Sequence, residues 1–185
     1  MAATSNLLVR SLHDLGAAAW FGGTLMGAVG LNGASAAVTD PTDRIRTASV
    51  GWAKWAPVNA VAIGAHAVGG LGLILANRGR IKGQQGAAAN TVVKTVLTVA
   101  AAGTTLYSGI LGAKIAAHES APADSGVTPS TGTPPEVASA QQQQRILQWV
   151  TPALVGTLVV LGAQQGEQQR PANLVAGVRA KLARS

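Results

Sequence analysis

The chain has 185 residues, with 14 Lys and Arg against 7 Asp and Glu and a formal charge of +7. Charged residues make up only 11%, against about 25% in soluble domains, so a water-soluble globule is the poorer fit. With no cysteine, the chain can form no disulfide, thiolate metal site or cysteine nucleophile. The bases stand in short groups between apolar runs, without interleaved aromatics. That pattern points away from nucleic acid and toward an anionic membrane surface.

Four intervals without a formal charge follow in chain order, at 15–39, 56–77, 95–113 and 146–166. Each is long enough to cross a hydrocarbon layer of ~30 Å as a helix. The first holds "GAAAWFGGTLMGAVGLNGASAAV", and Arg10 and Asp14 precede it. A cleaved leader ending at the "ASA" of residues 34–36 is the competing reading of this segment. Trp52 and Trp55 ahead of the second interval suit a membrane interface, and Pro57 suits a first helical turn. Lys94 and Lys114 bracket the third. Trp149 lies near one end of the fourth, with Pro152 in its first turns, where proline costs least.

The connections differ in character. "NRGRIKGQQGAAANTVVK" is basic and acid-free, whereas "HESAPADSGVTPSTGTPPEVASAQQQQR" is rich in Pro, Ser, Thr and Gln. The second is expected to be disordered over 118–145. Basic connections stay in the cytoplasm. With the basic loop and both termini inside, only Arg44, Arg46, Lys54, Lys114 and Arg145 lie outside. The expected fold is all-α, an integral membrane four-helix bundle over 1–166. A basic tail at 167–185 follows, its Leu174, Val178 and Leu182 forming an amphipathic stripe over the anionic inner leaflet.

Glycine is a poor helix former in water, yet it lets helices approach closely in lipid. In the first interval Gly16, Gly23, Gly27, Gly30 and Ala34 are expected on one face, with Trp20 between them. In the second, Ala62, Ala65, Gly69, Gly72 and Ala76 share a face, and in the third Ala102, Thr105, Gly109, Gly112 and Ala116 do so. These stripes read as helix-packing surfaces, against other spans, a second copy or another membrane protein.

The three histidines are His13, His66 and His118. His66 sits near the middle of the second interval, where an ionisable side chain is a functional candidate. It could ligate haem or copper through a ring nitrogen, relay a proton, or serve as a neutral imidazole hydrogen-bonded to a neighbouring helix through Thr or Tyr107. Counting along the helices puts the three histidines at three depths, so no bis-histidine site is expected within one chain. No nucleophile elbow, phosphate loop or zinc-protease motif occurs.

The runs "SLHDLGAAAWFGGTLMGAVGLNG", "GWAKWAPVNAVAIGAHAVGG" and "VVKTVLTVAAAGTTLYSGILGAKI" resemble small four-span membrane proteins of actinobacteria. The opening, with His13, Trp20, Gly22 and Gly23, is also similar to copper-resistance D-type membrane proteins. The first resemblance implies a bacterial cytoplasmic membrane and carries no catalytic residue. The expected function is a non-catalytic packing or accessory component with no bound cofactor. The alternatives are a haem- or metal-linked redox protein using His66 and a small-solute carrier or channel.

Overall fold

The computed structural model of the chain describes residues 2–78 and 87–168. Helix α1 (Ala2–Met26) continues through a π-helical turn (Gly27–Leu31) into α2 (Asn32–Ala36). Helix α3 (Arg44–Ala76) and helix α4 (Ala87–Ala116) follow. Strands β1 (Ala123–Ser125) and β2 (Thr128–Pro129) then pair as a small antiparallel hairpin before helix α5 (Pro135–Gln168). Among the described residues three helices are long and apolar enough to cross a membrane, over Arg44–Ala76, Ala88–Ala116 and Pro135–Gln164. Helix α1, which carries Arg10 and Asp14, is not among those three. The basic loop around Lys82 and the amphipathic tail lie outside the described residues.

Helix α1 is the spine of the arrangement. It packs antiparallel on α3 and again on α5, and α5 packs on α4, while α3 and α4 meet only sparsely. Trp20, Ala62, Ala101 and Val155 form one core cluster where all four long helices converge. Trp20 is fully buried and donates its indole N–H to Thr105 Oγ1 (3.1 Å). A large aromatic is the residue that fills such a junction when its neighbours are Ala and Gly.

The π turn corrects the expected stripe of the first helix. A π turn inserts one residue, so the buried face moves on by one position. Beyond Gly27 the inward residues are therefore Ala28, Asn32 and Ser35, and Gly30 and Ala34 are exposed. Gly30 meets only Met26 of its own helix. The shift brings Asn32 inside, where it accepts from Trp52 Nε1 (3.1 Å) and donates to Gln148 Oε1 (2.9 Å). One amide thus ties the first helical stretch to α3 and α5.

The expectation of disorder over 118–145 is also corrected. The segment from Ala123 to the start of α5 is an ordered cap over one end of the helices. Ile45, Leu111, Ile115, Ala123, Val137 and Ala140 form a second core cluster beneath it. Several of its polar groups are paired, although the buried Gln141 Oε1 has no hydrogen-bond partner among the described residues. Ser35 accepts from Gly126 N–H (2.9 Å), and Gln141 donates to Ser125 O (3.1 Å). Arg44 donates to Val38 O (2.8 Å) and Ala123 O (3.2 Å). Low hydrophobicity hid this, because the few apolar residues present are almost all turned inward. Nearby, Thr42 donates its N–H and hydroxyl to Asp40, which holds that exposed carboxyl below its ordinary pKa.

The cap also explains why the helices outrun their charge-free intervals. Pro57 and Pro152 lie well inside α3 and α5 rather than in first turns, because each helix starts within the cap, at Arg44 and Pro135. Deleting 125–138 should therefore destabilise the protein. Burying a Val contributes about 1.5–3 kcal/mol, and the deletion removes both Val127 and Val137. The expected loss in thermal midpoint is roughly 5–10 °C, read by fluorescence in detergent. An unchanged midpoint would contradict the docking.

Candidate functional site: a reciprocal histidine pair beside a polar recess

His13 and His66 come together, which overturns the expectation of three separate depths. Their rings stack with centroids 4.1 Å apart and planes 20° apart, and Trp20 stands edge-on to His66 at 6.1 Å. Depth had been measured from the start of the charge-free interval at Leu15. Helix α1 is already helical from Ala2, however, so His13 reaches the level of His66.

The pairing is reciprocal. His13 Nδ1 lies 3.1 Å from His66 O, and His66 Nδ1 lies 3.0 Å from His13 O. A carbonyl only accepts, so each Nδ1 carries a proton, and in the neutral ring Nε2 is then an acceptor. Thr98 Oγ1, 3.3 Å from His66 Nε2, then donates to it. The geometry disfavours two charged rings. Two imidazolium rings at 4.1 Å in a medium of low dielectric would repel strongly.

Two glycines make the geometry attainable. The sequence repeats His-x-x-Gly, as His13 to Gly16 and His66 to Gly69. A Cβ on Gly16 would lie 2.5 Å from Ala62 O and 2.6 Å from His66 N. A Cβ on Gly69 would lie 2.5 Å from Val9 O and would also collide with His13 N. Each glycine thus rests on the backbone of the opposite histidine, and the two halves are related by a local two-fold axis. Further along, Gly23 faces Trp55, Gly27 faces Trp52, and Gly72 faces Val9. At each of these five glycines an added Cβ would collide with the facing helix.

Gly109 and Gly112 do not pack in this way, since nothing lies within 4 Å of where their Cβ atoms would be. The buried residues of α4 are Ala101, Leu111 and Ile115, one position away from the expected stripe. Ala102 and Thr105 of that stripe do reach the core, Ala102 against the Trp20 cluster and Thr105 at the Trp20 indole. His118 stands apart, 3.7 Å from Glu136 near the cap. Among the described residues no group of three His, Cys, Asp or Glu could hold a metal ion.

A bis-histidine haem does not fit this pair. Axial ligands stand on opposite sides of the iron with the macrocycle between them, and rings stacked at 4.1 Å leave no slot for it. His66 is 1% exposed with both ring nitrogens engaged, so it is not presented to a second copy either.

The pair itself lines a recess of about 310 Å³ formed mainly by α1, α3 and α4, with Gly162 of α5. Arg10, Asp14, Asn77, Thr91 and Lys94 line it together with the apolar Leu71, Ile74 and Val99. Sequence reasoning missed this grouping, because Arg10, Asn77 and Lys94 read separately as span-end residues. The shared signal was their common position at one end of three spans. No family model, curated protein or solved structure matches the chain, so its own residues carry the functional reading.

Gly16→Ala and Gly69→Ala should each cost about 1–3 kcal/mol, because the new methyl must push two backbones apart. Gly109→Ala should cost nothing measurable. His66→Leu removes two side-chain hydrogen bonds and should cost about 1–2 kcal/mol at the modest values found in bilayers. Unfolding in mixed micelles measures all four. Equal tolerance of Ala at positions 16, 69 and 109 would contradict the close approach.

Proposed function

We propose that the chain is a four-span protein of a bacterial cytoplasmic membrane with both termini cytoplasmic. In this reading it acts as a non-catalytic packing or accessory component of a membrane assembly. The observation that carries it is the engaged state of the histidine pair. The ionisable side chain at mid-depth spends its nitrogens on His13 O and Thr98, so it clasps helices instead of presenting a ligand. The redox alternative needs His66 to offer a nitrogen, and the stacked rings oppose that.

The fourth span would be the first helical stretch. Its charge-free interval, antiparallel packing on α3 and α5, and central place at Trp20 support this. Orientation follows from the bases of the sequence, of which the described Arg10, Arg78 and Lys94 lie toward the end away from the cap. On the outward side of α4, Gly103, Gly109 and Gly112 stand open, and small residues facing lipid are suited to a further helix.

Single cysteines at Lys82 and at exposed Asp124, in a chain that has none of its own, test the topology. They should label from opposite faces, with Lys82 cytoplasmic. Labelling of both from one face would defeat the span count. The purified protein should show no Soret band, and another membrane protein or a second copy should co-purify with it. A haem spectrum lost in His66→Leu would favour the redox reading.

A further inference from the structure

We propose that the recess lined by the histidine pair binds a neutral, membrane-soluble phenolic ring whose hydroxyl donates to Nε2 of His13. The inference rests on the membrane reading above, and its anchor is the one imidazole nitrogen of the pair that the clasp leaves over.

The two histidines line the same recess but differ in what they leave free. His66 engages both nitrogens, Nδ1 with His13 O and Nε2 with Thr98 Oγ1. His13, only 9% exposed, engages Nδ1 alone, with His66 O. Its Nε2 has no hydrogen-bond partner among the described residues, yet it is not sealed inside the protein. One face of the ring is covered by His66, and Gly70 lies against the edge that carries Nδ1. The space left to Nε2 is the recess. In the neutral ring that nitrogen is an acceptor, and a buried acceptor is stabilised by any donor that reaches it.

Depth and lining select the donor. Arg10, Asn77, Thr91 and Lys94 already have partners, so none of them serves as an anchor. His66 lies near the middle of its charge-free interval, and His13 stacks on it at that level. A charged ligand would lose its hydration there, whereas a neutral hydroxyl loses far less and regains a bond at Nε2. A phenolic hydroxyl is more acidic than an aliphatic one and so is the stronger neutral donor. Leu71, Leu73, Ile74 and Val99 suit the apolar body of such a ring. Leu71 and Val99 are also 62% and 66% exposed, so apolar side chains flank the opening and entry from lipid is direct. At about 310 Å³ the recess is at the small end of ligand pockets, ~300–1,000 Å³, and takes one substituted ring rather than a macrocycle. Asp14 is a second acceptor of the lining, but it is exposed, and an exposed carboxylate gains little by exchanging one donor for another.

The test uses the full chain in lipid nanodiscs and two matched probes, 4-hexylphenol and its methyl ether 4-hexylanisole, which has no donor. Equilibrium dialysis against empty discs removes simple partition into lipid. Wild type should bind one phenol per chain and the ether about tenfold more weakly, the worth of one hydrogen bond. His13→Asn retains an N–H for His66 O and removes the acceptor from the recess, so it should bind the phenol about as weakly as the ether. Ile74→Trp fills the recess and should weaken both probes. Asp14→Asn should bind as wild type does. In wild type labelled with ring ¹⁵N-histidine, the phenol should shift His13 Nε2 and the ether should not. Circular dichroism of each variant confirms that it is folded.

Equal affinity of wild type for the two probes, or an Nε2 resonance that the phenol leaves unmoved, overturns the proposal without any variant. Undiminished phenol binding in folded His13→Asn overturns it as well, and a loss in Asp14→Asn with none in His13→Asn overturns the choice of anchor. Release of the chain from membranes by alkaline carbonate would instead overturn the spanning reading, and that result is read separately from the dialysis.

Discussion

The contact of two backbones sets the rest of the structure. Helices α1 and α3 touch at Gly16 and Gly69, with no side chain between them, and each glycine lies on the main chain of the facing histidine. Apolar side chains gain little by leaving lipid for protein, so dispersion between closely fitted surfaces must supply the attraction. Close approach also brings each imidazole within reach of the opposite carbonyl. The hydrogen bonds follow from the glycines. A methyl group at either position would part the helices and leave two histidines without partners.

The clasp in turn determines what surrounds it. Fixing α1 to α3 on one side leaves α1 free to pack α5 on the other, so Trp20 becomes the centre of the core. It also leaves α3 and α4 apart, joined at this level by the bond from Thr98 to His66. The recess occupies the gap that remains. Arg10, Asp14 and Lys94 line it. At the far end the cap closes the helices with a different chemistry, in which buried Ser35, Asn32 and Gln141 satisfy backbone and amide groups.

Much of this was legible in the residues. Long charge-free intervals mark α3, α4 and α5, and glycines at three- and four-residue steps mark the face of α1 that meets α3. The π turn was not legible, since no residue type specifies it, and it moved Gly30 and Ala34 off the packed face. The ordered cap was hidden by its composition, because a few well-placed apolar groups such as Val127 and Val137 outweigh a polar average. The histidine pair was concealed by treating charge as the membrane boundary. The His-x-x-Gly repeat contained the answer, for a residue and a glycine three positions on share a helix face. Two copies of that pattern on antiparallel helices can clasp each other.

The most direct measurement of the central claim is a cross-link across the clasp. A Cβ on Gly72 would lie 3.1 Å from the Cβ of Val9, and a disulfide brings two Cβ atoms to about 3.5–4.5 Å. A Val9→Cys, Gly72→Cys variant in native membranes should therefore close an intramolecular disulfide under mild oxidation. Both thiols should then be lost to maleimide labelling, and a linked peptide pair should appear by mass spectrometry. A Val9→Cys, Gly109→Cys pair in the same background should stay reduced. If the first pair remains open under conditions that oxidise exposed thiols, α1 and α3 do not meet as described, and the account of the clasp fails with them.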